Sequence, residues 1–277
     1  MKRIGIVGLC LAAMFALSAM AASSAFAGQY ITCTKVSKVT VKYISKGKEK
    51  SKAIYEGKYL TNTCTTLAPE PGKYYEGPEG KYERGSAVGI KSTDKTKTAT
   101  LASAAGTITC KSSTGTDEIT GSKTDKNVTN FKTCVLSVTK GACTTPGDAS
   151  GEITSTAVSR LIDHGEKGPS GGEPAEGEVW DEFESESGPS GLLAEFVCAP
   201  GVIFETSGTL SGVATPVNAK GSTKGTTTFG AGKGEQDLVT EFSENGGISF
   251  ENTGPNVETA TASIAWSSAV EVLAENE

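Results

Sequence analysis

The sequence predicts an all-β fold: an antiparallel β-sandwich or barrel-like domain, braced by disulfides, with a Tyr/Lys-rich N-terminal subdomain or extension. Three observations carry this expectation. Apolar and polar residues alternate in short stretches, the period of half-buried strands. Turn signals such as Thr114-Gly115, Asn245-Gly246-Gly247 and Gly254-Pro255-Asn256 separate those stretches. Six cysteines follow the N-terminal leader.

The leader has the parts of a cleavable signal peptide: basic Lys2 and Arg3, an apolar stretch from Ile4 to Ala22, and the small-x-small site Ala25-Phe26-Ala27. Gly5, Gly8 and Ser18 dilute the apolar run, which favours a signal over a membrane anchor. Cleavage after Ala27 removes Cys10 and leaves residues 28–277, enough chain for one large β domain or two small ones. No later stretch approaches the length of a membrane span, so no integral membrane segment is expected after cleavage and the mature chain is expected outside the cytoplasm.

Two subdomains are expected in the mature chain. Residues 28–90 hold Cys33, Cys64 and all seven tyrosines, with Gly-Lys-Tyr at 57–59, 72–74 and 80–82. Residues 91–277 form the main β domain. In the first part, Val39, Val41 and Tyr43 alternate with Lys38, Thr40 and Lys42 as a strand with one core face. The main domain has strand candidates at 98–103, 106–111, 133–139, 152–161, 192–198, 203–210, 237–242, 248–251 and 260–266, and residues 267–273 read as a strand or a short helix.

The six remaining cysteines are Cys33, Cys64, Cys110, Cys134, Cys143 and Cys198. An even count in an oxidising compartment reads as three bridges, each contributing about 2–4 kcal/mol. Sequence proximity favours Cys134–Cys143 and Cys33–Cys64, which leaves Cys110–Cys198 as the long closure. A zinc site is disfavoured, because no two cysteines are closer than nine positions and His164 is the sole histidine.

The chain resembles a group of exported β-rich proteins of actinobacteria. The shared features are the export signal, Ile31-Thr-Cys33, a Gly-Lys-Tyr segment after the second cysteine, Ile108-Thr-Cys110-Lys111, the pair Cys134 and Cys143, Gly151-Glu-Ile153 and Phe196-Val-Cys198. The resemblance implies β structure and export, and it brings no known activity or functional residues.

Charge is segregated. Residues 28–140 hold 19 Lys/Arg against 10 Asp/Glu, a net +9, and residues 141–277 hold 5 against 22, a net −17. The halves are expected to attract each other, or copies to meet head to tail, and the overall acidity argues against nucleic acid as a partner. Two stripes stand out. Lys46, Lys48, Lys50 and Lys52 share one parity and one strand face. Glu176, Glu178, Trp180, Glu182, Glu184 and Glu186 share another, with Val179 and Phe183 on the opposite parity, which reads as an acidic arm over 172–188 hinged at Gly168-Pro-Ser-Gly171 and Gly188-Pro-Ser-Gly191. The plain reading of both stripes is a solvated edge that blocks aggregation. The functional reading is a binding surface of Lys46, Lys48, Lys50, Lys52, Tyr59, Tyr74, Tyr82, Glu178, Trp180, Glu182 and Glu184. Its partners would be an anionic cell-wall polymer, another copy of the chain, or weakly held calcium, though the Glu stripe lacks the loop spacing of a tight calcium site.

Catalytic motifs fail on context. Gly168-Pro169-Ser170-Gly171-Gly172 matches a nucleophile elbow in letters only, since it sits in a Gly/Pro loop and the sole histidine precedes it. Gly230-Ala-Gly-Lys233-Gly234 has glycine where a phosphate loop needs Ser or Thr. No cofactor motif is present. The expected function is that of a non-catalytic secreted or cell-envelope β protein that binds a surface or polymer or serves structurally. The alternatives are a secreted carboxylate-dependent, glycosidase-like hydrolase and a self-assembling extracellular component.

Overall fold

The computed structural model describes residues 28–45, 48–68, 80–103, 105–168, 171–230, 236–244 and 255–274. The signal segment 1–27, Lys46, Tyr74, most of the loop at 230–234 and the strand expected at 248–251 lie outside the described residues.

All regular structure among the described residues is β. From the N-terminus, β1 (Gln29–Lys35) leads into a hairpin of β2 (Lys38–Ser45) and β3 (Lys48–Tyr55), and β4 (Tyr82–Ser86) returns antiparallel beside β1. Then come β5 (Lys91–Thr96), β6 (Ala99–Ser103), β7 (Gly106–Cys110), β8 (Ser112–Ile119), β9 (Thr124–Lys132) and the two-residue β10 (Val135–Leu136). The acidic half supplies β11 (Cys143–Thr144), β12 (Ile153–Asp163), β13 (Val179–Glu184), β14 (Leu192–Cys198), β15 (Val202–Thr215), β16 (Ser222–Phe229), β17 (Gln236–Glu244) and β18 (Pro255–Leu273). Residues 267–273 are thus strand, not helix: they continue β18, which pairs with β16 and β1 there.

Eight strands close into an antiparallel barrel in the order β5, β8, β9, β12, β13, β15, β16, β18, with β18 returning to β5. Closure removes exposed edges from these strands. The long strands β15 and β18 run on past the ring, and there they pair with β14, β17 and β6 to build a second, apolar storey. Its core surrounds Ile108, Leu136, Ile153, Phe196 and Phe204, with the Phe196 and Phe204 rings stacked 5.3 Å apart. At the opposite end, Tyr30, Ile119, Leu161, Val179, Val270 and Val272 close the barrel.

Cys33–Cys64 forms as sequence proximity predicts, but the other bridges are Cys110–Cys134 and Cys143–Cys198, not Cys134–Cys143 and Cys110–Cys198. Ladder register is the reason. β10 pairs with β7 through Val135 opposite Thr109, which puts Cys134 beside Cys110, and β11 pairs with β14 with Cys143 opposite Cys198. Cys134 and Cys143 are backbone neighbours, joined by a 2.9 Å hydrogen bond, yet each sulfur bridges elsewhere.

The boundary expected at residue 90 does not separate two sheets. β1 pairs with β18, and β4 pairs with β1, so both belong to the large sheet, and only the β2–β3 ribbon stands alone. The charge halves do meet within one molecule. Arg84–Glu271, Lys123–Glu166, Lys126–Glu186 and Lys132–Glu152 each join the basic half to the acidic half.

Candidate functional site

The barrel interior is the candidate site. Strand β5 reads Lys-Ser-Thr-Asp-Lys-Thr, and its alternation sends Lys91, Thr93 and Lys95 outward and Ser92, Asp94 and Thr96 inward. Ser113, Gly115 and Asp117 of β8 and Asp125, Asn127, Thr129 and Phe131 of β9 follow the same rule, and Asp181 and Phe183 of β13 complete that wall. Opposite stand Leu210, Phe229, Ala260, Ala262, Ile264 and Trp266 from β15, β16 and β18. Between the walls lies a cavity of about 100 Å³, room for several waters or a small ligand.

Among the described residues, four aspartates line this cavity and no Lys, Arg or His does. Two of them are satisfied. Asp117 accepts from Ser92 Oγ at 2.6 Å and from Asn127 Nδ2, and Asp125 accepts from Ser159 Oγ and from Tyr30 Oη at 3.2 Å. The others are not: Asp94, 5% exposed, and Asp181, 4% exposed, each keep one carboxylate oxygen without a partner, as does the hydroxyl of buried Ser113. Burial, reinforced by the Asp117 charge, pushes the Asp94 carboxyl up to about 7. Burial also raises Asp117, Asp125 and Asp181, the last helped by Asp125, and it raises the Tyr30 phenol well above its ordinary range.

A second cavity, of about 70 Å³, opens beyond Phe131, Ser155 and Leu193, which line both spaces, and continues between Leu101, Ile108 and Phe196. Leu193 also borders a groove on the outer surface. Here the wall has a seam. No backbone ladder joins the start of β12 to β14 among the described residues; Ser155 Oγ donates to the Leu193 carbonyl at 2.9 Å instead, and the β14–β15 register shifts between Leu192 and Ala194.

The acidic arm expected over 172–188 is instead part of this barrel. β13 lies between β12 and β15, with Trp180 at 8% and Glu182 at 3% exposure, while Glu178 and Glu184 are half-buried. The parity is as read, but the outer face is not solvated. Asp181 and Phe183 look inward, and the outer side of Glu182 is covered by the Gly168 turn and by Ser211 Oγ, which donates to it at 2.7 Å.

Three members of the Lys stripe are described. Lys48, Lys50 and Lys52 are exposed on β3, and cross-strand register sets Ser45, Tyr43 and Val41 opposite them. That face also carries Val39 at 42% and Tyr43 at 46% exposure, so it is cationic and apolar at once. Of the described tyrosines, Tyr59 is half-buried and bridges to Leu67 and Tyr82, while Tyr55 lies under Lys35, Lys38 and Lys81 at 5.3–5.9 Å. His164 sits on a loop, its Nδ1 3.1 Å from the Pro174 carbonyl oxygen. No group of three metal-ligating side chains occurs among the described residues, and no helix there is long and apolar enough to cross a membrane.

The aspartates of β5, β8 and β9 escaped the sequence reading because polar residues occupy both faces of those strands. The one available signal was chemical. Lys-Ser-Thr-Asp-Lys-Thr keeps its long charged side chains on one parity and its short ones on the other.

Comparison with protein-family models, curated proteins and solved structures returns no match for the chain.

Proposed function

We propose that this is an exported, non-catalytic binding protein that holds a small organic ligand in the lumen of its barrel. The observation that carries the reading is the two-sided cavity, in which Asp94, Ser113 and Asp181, each with a buried polar atom that has no hydrogen-bond partner, line one side and an aromatic and aliphatic wall lines the other. Export is supported by the signal-like N-terminus, the three bridges and the resemblance to exported actinobacterial proteins.

A carboxylate-dependent hydrolase would draw on the same aspartates. A glycosidase, however, needs a cleft that seats sugar on both sides of the scissile bond, and the barrel interior offers a space of only about 100 Å³. Self-assembly through opposite charges is disfavoured by the four ion pairs that join the halves within one chain.

A thermal-shift screen of small amphipathic molecules tests the lumen. Ligands that stabilise the protein lose their effect in Ala260→Phe, which fills the cavity, and hits that survive this substitution place the site elsewhere.

A second reading concerns the β2–β3 ribbon. Lys48, Lys50 and Lys52 beside exposed Val39, Val41 and Tyr43 suit attachment to an anionic cell-envelope polymer, with charge for attraction and apolar area for adhesion.

A further inference from the structure

We propose that the lumen ligand is a small organic cation with an apolar body, such as a protonated alkylamine, its head held by Asp94 and Asp181 and its body lying against Phe229 and Trp266. The inference rests on the reading of the lumen as a binding site and names the class of ligand.

First, among the described residues the cavity wall carries four carboxyl groups and no basic side chain. Burying such groups without a counter-charge costs several kcal/mol, and a fold retains that cost where a ligand offsets it. The other titratable groups described on the lumen wall are Asp117 on the adjacent β8, Asp125 on β9, Asp181 on β13 and the neutral phenol of Tyr30 on β1, so none of them supplies a positive charge for an anion.

Second, the vacant positions are acceptors. Asp117 and Asp125 already receive two donors each, whereas Asp181 Oδ1 and Asp94 Oδ1, the latter packed against Gly115, receive no hydrogen bond, and the Ser113 hydroxyl of the same wall is likewise without a partner. The complementary group brings several N–H donors and a positive charge, as an ammonium does. A bare metal ion fits poorly, because the described residues hold no cluster of metal-ligating side chains.

Third, the facing wall is shaped for carbon. The Trp266 ring lies over Gly225, where a Cβ would overlap it, so the glycine gives the indole room within the lumen. Aromatic faces also attract cations. The adjoining apolar cavity past Phe131 and Leu193 extends the space for a chain.

Calorimetric titration of the purified protein with n-hexylamine, n-hexanol and n-hexanoate tests the proposal. At pH 8 hexylamine is expected to bind at least about tenfold more tightly than hexanol, and hexanoate more weakly than either. Asp94→Asn and Asp181→Asn are each expected to weaken hexylamine about tenfold while leaving hexanol within about twofold, which separates loss of charge from loss of fold. Lowering the pH from 8 to 6 weakens hexylamine as Asp94 takes up its proton, whereas hexanol is unaffected. Equal binding of hexylamine and hexanol leaves the lumen as a site and overturns the cationic class. Failure of all three probes, or hexylamine binding unchanged in Ala260→Phe, overturns the lumen reading as well.

Discussion

Asp94 faces Gly115 across the β5–β8 ladder, and its carboxylate occupies the space that a Cβ on residue 115 would fill. The glycine is therefore part of the site. A side chain there meets Asp94 and Thr129 together and drives the carboxylate out of place. Gly115→Ala is expected to destabilise the protein by about 1–3 kcal/mol despite the better strand propensity of alanine. In urea unfolding, Asp94→Ala combined with Gly115→Ala should recover most of that loss; strict additivity of the two changes would count against the contact.

Stability should rise as the medium is acidified from pH 7 towards pH 5. The Asp94 carboxyl is raised to about 7 in the fold against 3.8 when free, so the folded chain holds a proton there that the unfolded chain has released. This contribution is fully present below the unfolded value and is lost as pH rises through about 7. Asp117, Asp125 and Asp181, shifted in the same direction, add to it. Asp94→Asn is expected to be more stable than the parent at pH 8, by on the order of 3 kcal/mol, and no more stable at pH 4. A parent whose midpoint is flat across this range would refute the assignment of Asp94.

The bridges should differ in access. Cys110, Cys134, Cys143 and Cys198 are all buried, whereas Cys33 is only half-buried at the base of the ribbon. Under native conditions with mild reductant, alkylation and mass spectrometry should find Cys33 and Cys64 labelled first. Labelling of Cys143 or Cys198 at the same rate would show that the second storey opens as readily as the ribbon.

The ribbon should work without the barrel's help. Lys48→Gln, Lys50→Gln and Lys52→Gln together are expected to change stability by less than about 0.5 kcal/mol, since these side chains are exposed on a separate two-stranded sheet. The same variant should lose the parent's low-salt retention on dextran sulfate. A parent that passes through unretained, or a variant retained equally well, would remove the polymer reading.

The period-2 alternation of Val39–Tyr43 and of 192–198 and 203–210 was enough to place strands, and 99–103, 106–110 and 153–163 also fall where the sequence puts them. β5, β8, β9 and β16 were not legible. Their inward faces carry Ser, Thr, Asp and Gly, and hydropathy cannot distinguish a residue that faces a polar lumen from one that faces water. The acidic stripe at 176–186 failed for the converse reason. Glu182 and Trp180 lie on the outer side of the barrel, yet both are buried, Glu182 beneath the Gly168 turn.

By itself, then, the sequence determined the strand class, the even set of bridging cysteines and the charge segregation, because each follows from local chemistry within a few positions. Strand pairing across the chain decided the rest. The β11–β14 ladder set Cys143 opposite Cys198, and closure of the ring turned Asp181 inward and gathered aspartates from β5, β8, β9 and β13, distant in the chain, around one cavity. Such juxtapositions depend on ladder register between strands as far apart as β5 and β18, and no local pattern encodes that register.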